Sequence, residues 1–415
     1  MAPVFHVAGA GLAGLSAALS LIGKGGDIAL YEAAGQAGGR CRSYFDTELG
    51  CLVDNGNHLL LSGNVAAMNY INRIGAAGTL TGPGRPVFDF CDLANGERWT
   101  LDPGAGRVPW WIFDEKRRIA GTKPADYLKL AAFLRAKEAD TVAGLFDTGS
   151  PLFRRLLQPL TVAALNTEAE TASARLLWRI MRDTFGRGGA AMHPLIPATG
   201  LSETLIDPAL SMLSGAGARI RFGARLRRIE FAGDQVTKLH FDEEAIELAP
   251  EDRLILAVPA PIASRLVPEL VAPTEFRAIV NAHYRVDQPI AGPPFIGLTG
   301  GIAEWVFRKP GILSVTISAA DPVADRPAEE LGPLVWRDVA RAYGLDGAIV
   351  PPFRIVKEKR ATFAATPEQL RRRPGAATRW RNLFLAGDWT ATGLPSTIEG
   401  AIRSGNEAAR TSLGI

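Results

Sequence analysis

An α/β fold is predicted by three stretches of this sequence. Residues 4–21, VFHVAGAGLAGLSAALSL, carry a short apolar run into Gly9, Gly11 and Gly14, spaced Gly-x-Gly-x-x-Gly. Residues 218–260 alternate apolar and polar positions between turn signals, the pattern of successive strands, and end in the apolar run RLILAVP. Residues 382–410, NLFLAGDWTATGLPSTIEGAIRSGNEAAR, pass from an apolar run through a glycine turn into a helical period.

The first stretch sets the core. VFHVA reads as a strand, Leu12 to Lys24 as a helix and IALYE as a second strand, the βαβ start of a Rossmann-like domain. Gly9 permits the tight turn, Gly11 lets the backbone approach a pyrophosphate, and Gly14 lets the helix lie close to the strand. The helix N-terminus then offers free N–H groups and the positive end of its dipole to phosphates. Glu32 closes the second strand about twenty residues on, where an acid grips a ribose hydroxyl. A secretory signal is not expected, because nothing basic precedes His6 and the run is interrupted by glycines, which also make a poor membrane span.

The chain of 415 residues is long for one simple core and predicts two domains. With 47% hydrophobic and 21% charged residues and a net charge of +3, a soluble globular protein is expected, without nucleic acid as a partner. Cys41, Cys51 and Cys91 have no metal-ligand spacing, so no metal is expected, and their odd number suits reduced thiols in a cytoplasmic protein. Residues 83–195 carry few strand signals and several helical ones, among them Lys123 to Arg135 and Ser173 to Asp183. Residues 261–355 mix both. The expected organisation is a discontinuous dinucleotide domain (1–82, 196–260 and 356–415) with an inserted α+β substrate-binding domain (83–195 and 261–355). GAGARI at 215–220 lacks the third glycine and reads as a turn before a strand, and Arg371-Arg372-Arg373 reads as a solvated charged face.

The C-terminal stretch narrows the cofactor. Asp388, after Gly387 at a strand end, can bond a polyol hydroxyl, while Ser396, Thr397 and Ile398 open a helix whose N-terminus can stabilise charge at a flavin N1/O2 edge. Read alone it would also suit an N-capped terminal helix. Between the two ends, Gly38-Gly39-Arg40 supplies amides and a guanidinium to clamp a pyrophosphate, and Val258 closes the strand before Pro259.

Taken in order, GxGxxG with Glu32, then GGR, Asp54-x-Gly56 and the closing GD with its helix resemble the flavin-containing amine oxidase and phytoene desaturase superfamily over the whole chain. GGRCRS, DNGNHLLL, PWWIFDEKRR, EKRATFAATPEQLRRRP and GDWTATGLPSTIEGAIRSG resemble, more narrowly, the hydroxysqualene dehydroxylases of bacterial hopanoid pathways, also called squalene-associated FAD-dependent desaturases. The resemblance implies FAD and the reductive conversion of hydroxysqualene to squalene. It also places the segment after Asp54-x-Gly56 beside the flavin ring, which makes Asn57 and His58 candidates for the pocket. Related oxidases keep a lysine near flavin N5. Lys359 is the candidate here, against the plainer reading of an exposed salt bridge, and His58 and Lys359 are the candidate catalytic residues, as the acid beside the departing hydroxyl. Covalent attachment through sulfur would need a cysteine near the C-terminal motif, and the last is Cys91, so noncovalent FAD is expected.

Two other functions share this architecture. An amine oxidase frames its substrate nitrogen with two aromatic rings near the C-terminal motif, whereas Trp389 is the sole aromatic residue after Phe384, which speaks against an amine but not against a desaturase. A prenyl-binding escort protein would have lost flavin contacts, and both ends are intact. Finally, Trp110, Trp111, Ile112 and Phe113 precede Lys116, Arg117 and Arg118, a grouping that suits peripheral contact with the inner face of the cytoplasmic membrane or, more plainly, a core corner.

Overall fold

The structure is a computed structural model and describes residues 2–415. Five parallel strands form its central sheet in the order Arg219–Arg221, Asp27–Tyr31, Val4–Ala8, Arg253–Leu256 and Leu383–Leu385. Val7, Leu30, Leu254, Ile255, Leu256, Leu383 and Leu385 have no solvent exposure, as expected of parallel strands covered on both faces. Each such side chain contributes roughly 1.5–3 kcal/mol by leaving water.

Helix Leu12–Leu21 is buried on nearly every side, between this sheet and helix Ile398–Ser412. Small residues make that approach possible: a Cβ on Gly405 would lie 2.1 Å from the Ala13 carbonyl oxygen. Ser16 donates to the Ile402 carbonyl at 3.1 Å, so the first and last helices of the chain are joined by hydrogen bonds as well as packing.

The strands expected within 218–260 are present but divide between two sheets. Arg228–Ala232, Gln235–His240 and Ala245–Glu247 form a separate antiparallel sheet, while the flanking strands belong to the parallel one. Gly217 turns the chain into strand Arg219–Arg221, with φ +82°.

A second large sheet has seven strands in the order Phe353–Phe363, Phe276–Arg285, Ile312–Ile317, Trp305–Lys309, Phe295–Thr299, Phe88–Asp92 and Arg98–Leu101. Helix Ala328–Tyr343 covers one face through Leu331, Val335, Trp336 and Val339. Strand Phe353–Phe363 pairs with Phe276–Tyr284, so the expected boundary between 355 and 356 falls inside a strand of this sheet. Residues 83–195 add two strands as well as helices. Lys123 to Arg135 breaks into helix Pro124–Leu128 and 3-10 helix Lys129–Arg135, and the next expected helix is Ala174–Asp183.

The aromatic stretch at 110–113 divides. Trp111 is buried edge-on to Tyr127, whereas Trp110 and Phe113 are 70% and 62% exposed. Among the described residues, no helix is long and apolar enough to cross a membrane.

Candidate active site

At the C-terminal edge of the parallel sheet, backbone geometry builds a cradle. Gly9 has φ +108°, and a Cβ there would meet the Ala257 carbonyl oxygen at 2.3 Å. A Cβ on Gly14 would lie 1.8 Å from the Gly9 carbonyl oxygen. Gly11 differs: its Cβ would meet nothing within 4 Å, so its Cα borders open space at the start of helix Leu12–Leu21. Gly38 donates to the Ala10 carbonyl at 2.8 Å, laying the turn of Gly38 and Gly39, both at positive φ, beside the first. The Glu32 carboxylate accepts N–H groups from Ala10 and Ala34, each at 2.8 Å, and so fixes the first turn from the end of its own strand.

The C-terminal motif closes over this cradle. Arg40 bonds both oxygens of Asp388 at 2.7 Å and the Ala361 carbonyl. Gly387 donates to Ser404 at 2.9 Å, and the Val258 carbonyl accepts the Trp389 indole at 2.9 Å. Thr397 caps helix Ile398–Ser412 by accepting the Gly400 amide at 3.1 Å, and the neighbouring Ser396 hydroxyl is buried without a partner. Arg373, expected on a solvated face, is instead buried. It donates to the carbonyls of Asp388, Trp389 and Thr390, and burial lowers its pKa to about 10. Arg371 and Arg372 remain nearer the surface.

Beyond the cradle, segment 54–58 lies along the seven-stranded sheet. Asn57 donates to Thr316 at 3.1 Å and Thr316 donates to Asn281 at 2.8 Å, while Asn57 Oδ1 is buried without a partner. Asp54 accepts from Ser43 at 2.5 Å and Leu201 at 2.9 Å, and its other oxygen holds the ammonium of Lys309 in a buried ion pair. His58 Nε2 faces Cys41 Sγ at 3.6 Å. Burial, opposed by Asp54 and reinforced by Arg40 and Lys309, pushes the His58 pKa down to about 4, and burial raises Cys41 to about 12. His58 is therefore a neutral imidazole near pH 7, which corrects its reading as the proton donor. Lys359 is also corrected. It stands 66% exposed on the edge strand, paired with exposed Asp325 at 2.6 Å, away from this cluster. Lys309, with its side chain 13% exposed, is much the less exposed of the two lysines. Its strand, WVFRK, places it by alternation on the face of Trp305 and Phe307, the one signal in the sequence that marks it.

The residues present fit a flavin dinucleotide. The space at Gly11, the free Ser396 hydroxyl beside a helix N-terminus and the free Asn57 oxygen mark a phosphate end and a ring end. Beside the segment that follows Asn57 and His58 the large sheet presents Phe90, Trp99, Phe295, Trp305 and Phe307 in one apolar cluster with Leu59 and Leu61.

This combination defines the class: the chain belongs to the flavin containing amine oxidoreductase family, which matches over residues 12–412. More narrowly it belongs with the hydroxysqualene dehydroxylases. It is 48% identical over 408 residues to one from Sinorhizobium fredii, covering 98% of each chain. To another from Rhodopseudomonas palustris it is 47% identical, covering 99% of this chain and 98% of that one. A solved structure described as a putative protoporphyrinogen oxidase from Exiguobacterium shares the fold, with a TM-score of 0.70 at 16% identity over 100% of this chain and 99% of that one.

Proposed function

We propose that this chain uses noncovalently bound FAD to remove the hydroxyl group of hydroxysqualene reductively, yielding squalene. The likeness at 48% identity along nearly the whole chain is the observation that carries the reading. The site is consistent with it, because an aromatic and aliphatic wall adjoins the segment that follows Asn57 and His58 and suits a long hydrocarbon.

In this reading Gly9, Gly11, Gly14, Gly38, Gly39 and Arg40 bind the pyrophosphate, and Glu32 the adenosine ribose. Asp388, Ser396, Thr397 and Ile398 face the ribityl and ring, with Asn57 and His58 against the ring itself and Val258 beside the turn. Reduced FAD supplies a hydride. The protein holds the allylic alcohol beside it, gives a proton to the departing hydroxyl and keeps water from the carbon that is left electron-poor. His58, neutral and half-buried, shapes the pocket. Substrate enters from the membrane: exposed Trp110, Phe113, Leu128 and Leu134, with Lys116 nearby, dock on anionic lipid at the inner face of the cytoplasmic membrane. Co-sedimentation with vesicles containing anionic lipid, lost in the Trp110→Ser, Phe113→Ser double variant, tests the docking.

Anaerobic incubation of the reduced holoenzyme with hydroxysqualene tests the chemistry. Squalene should appear in step with flavin oxidation. Faster reduction of the oxidised holoenzyme by phytoene, or by a simple amine, would assign a desaturase or an amine oxidase instead.

A further inference from the structure

The hairpin at one edge of the seven-stranded sheet, Phe88–Asp92 with Arg98–Leu101, has two unlike faces. Phe88, Phe90, Trp99 and Leu101 are buried in the apolar cluster that meets Leu59 and Leu61, whereas Asp89, Arg98 and Thr100 alternate to the other side. There they line a cleft of about 520 Å³, completed by Pro293 and by Glu115, Lys116 and Arg118 from the segment that follows Phe113.

The charges of this cleft do not cancel. Glu115 pairs with Arg118 at 3.3 Å, and Asp89 accepts the Thr100 hydroxyl at 2.5 Å. Arg98 donates to the Ala342 carbonyl, and among the described residues neither it nor Lys116 has a carboxylate partner. A third such cation, Arg308, donates to the carbonyls of Gly292 at 2.9 Å and of Pro293 at 3.4 Å. Arg98 and Arg308 both act on the phenol of Tyr343, whose hydroxyl is buried without a partner. The corner therefore stays positive with Asp89 ionised, and it suits an anion with several acceptor oxygens. Its place in the molecule selects the source. Lys116 and Arg118 directly follow the exposed rings of Trp110 and Phe113, which lie 6.1 Å apart.

Resting on the membrane contact proposed above, we infer that this cleft binds the phosphodiester headgroup of an anionic membrane lipid, with Arg98 and Lys116 holding the phosphate and Arg308 adding positive potential from the Pro293 side. The hairpin then stands at the bilayer surface with the apolar wall on its opposite face, where a hydrocarbon leaving the lipid is received. Diffuse attraction to a charged bilayer needs only basic residues near its surface. A cleft demands more: saturable recognition of one headgroup.

Titration of the holoenzyme with dihexanoyl phosphatidylglycerol below its micelle concentration, followed by phosphorus NMR, separates the two. Binding should saturate and be tighter than that of dihexanoyl phosphatidylcholine or inorganic phosphate. The Arg98→Gln, Lys116→Gln double variant should keep its FAD and its thermal midpoint but bind this lipid about tenfold more weakly, as loss of charge-assisted contacts implies. Lys116→Gln alone, at an exposed position, should weaken binding in the same direction. The Arg379→Gln, Arg381→Gln variant removes equal charge from exposed pairs with Glu269 and Asp234 and should bind like wild type. Absence of saturation, equal binding of phosphatidylcholine or inorganic phosphate, or equal weakening in both double variants overturns the site. The Trp110→Ser, Phe113→Ser variant should lose vesicles yet keep the short-chain lipid. Vesicle binding retained there overturns the docking by those two rings, and loss of the short-chain lipid there overturns the cleft as a separate headgroup site.

Discussion

At the proposed phosphate end of the site the groups are mostly backbone. Gly9, Gly11, Gly14, Gly38 and Gly39 act through their lack of a side chain, and all lie within the first forty residues. At the ring end they are side chains drawn from distant segments: Asp54 with Lys309, Asn57 with Thr316, Asn281 with the carbonyl of Asn55. The first arrangement is local in sequence and held by backbone hydrogen bonds such as Gly38 to Ala10. The second exists only once segment 54–57 has packed on the seven-stranded sheet, so damage there should be felt by the fold, while damage to the cradle should be felt by the cofactor.

The largest effect should come from a cradle position where this distinction breaks down. Gly14→Val puts a branched side chain into the Gly9 carbonyl and should prevent stable folding. Gly11→Val meets only open space and should fold like wild type while purifying colourless. Equal FAD content in Gly11→Val and wild type would show that the pyrophosphate lies elsewhere.

Next comes Lys309→Met, which strands Asp54 as a buried charge and should cost about 3–5 kcal/mol in urea unfolding. The Asp54→Asn, Lys309→Met double variant should recover part of that loss. A single variant as stable as wild type would mean that the ion pair does not join the segments.

Glu32→Ala sharpens the comparison from the other side. It removes an acceptor from Ala10 and Ala34 and the proposed ribose contact, and should weaken FAD by roughly 1.5–3 kcal/mol in titrations of the apoprotein. Unchanged affinity would remove the ribose role.

The smallest effect is a pH dependence at the ring end. Burial holds His58 and His283 each near 4, below the ordinary histidine value. Both therefore favour the folded state fully above about pH 6.5, and that contribution fades as pH falls toward 4. Thermal unfolding across this window should show stability falling with acid, less steeply in His58→Asn. An unchanged slope would place His58 in water.

These contrasts also explain what could be read in advance. Glycine spacing, strand ends and helix starts are short-range signals, so the parallel sheet, both ends of the cradle and Glu32 were legible in the sequence. Lys309 and Asp54 are 255 positions apart, and no local pattern joins them. Arg373 looks like its two arginine neighbours and differs only because the GDWTAT turn folds over it. Lys359 was misplaced because strand Phe353–Phe363 is a sheet edge, where charged side chains turn to solvent.

The claim that the two ends serve one reductive reaction is tested most directly by isotope transfer. With flavin reduced to carry deuterium at N5 and hydroxysqualene added under anaerobic conditions, the account predicts squalene bearing one deuterium at the former carbinol carbon, in an amount equal to the flavin oxidised. Unlabelled squalene, or flavin oxidation without squalene, would contradict it.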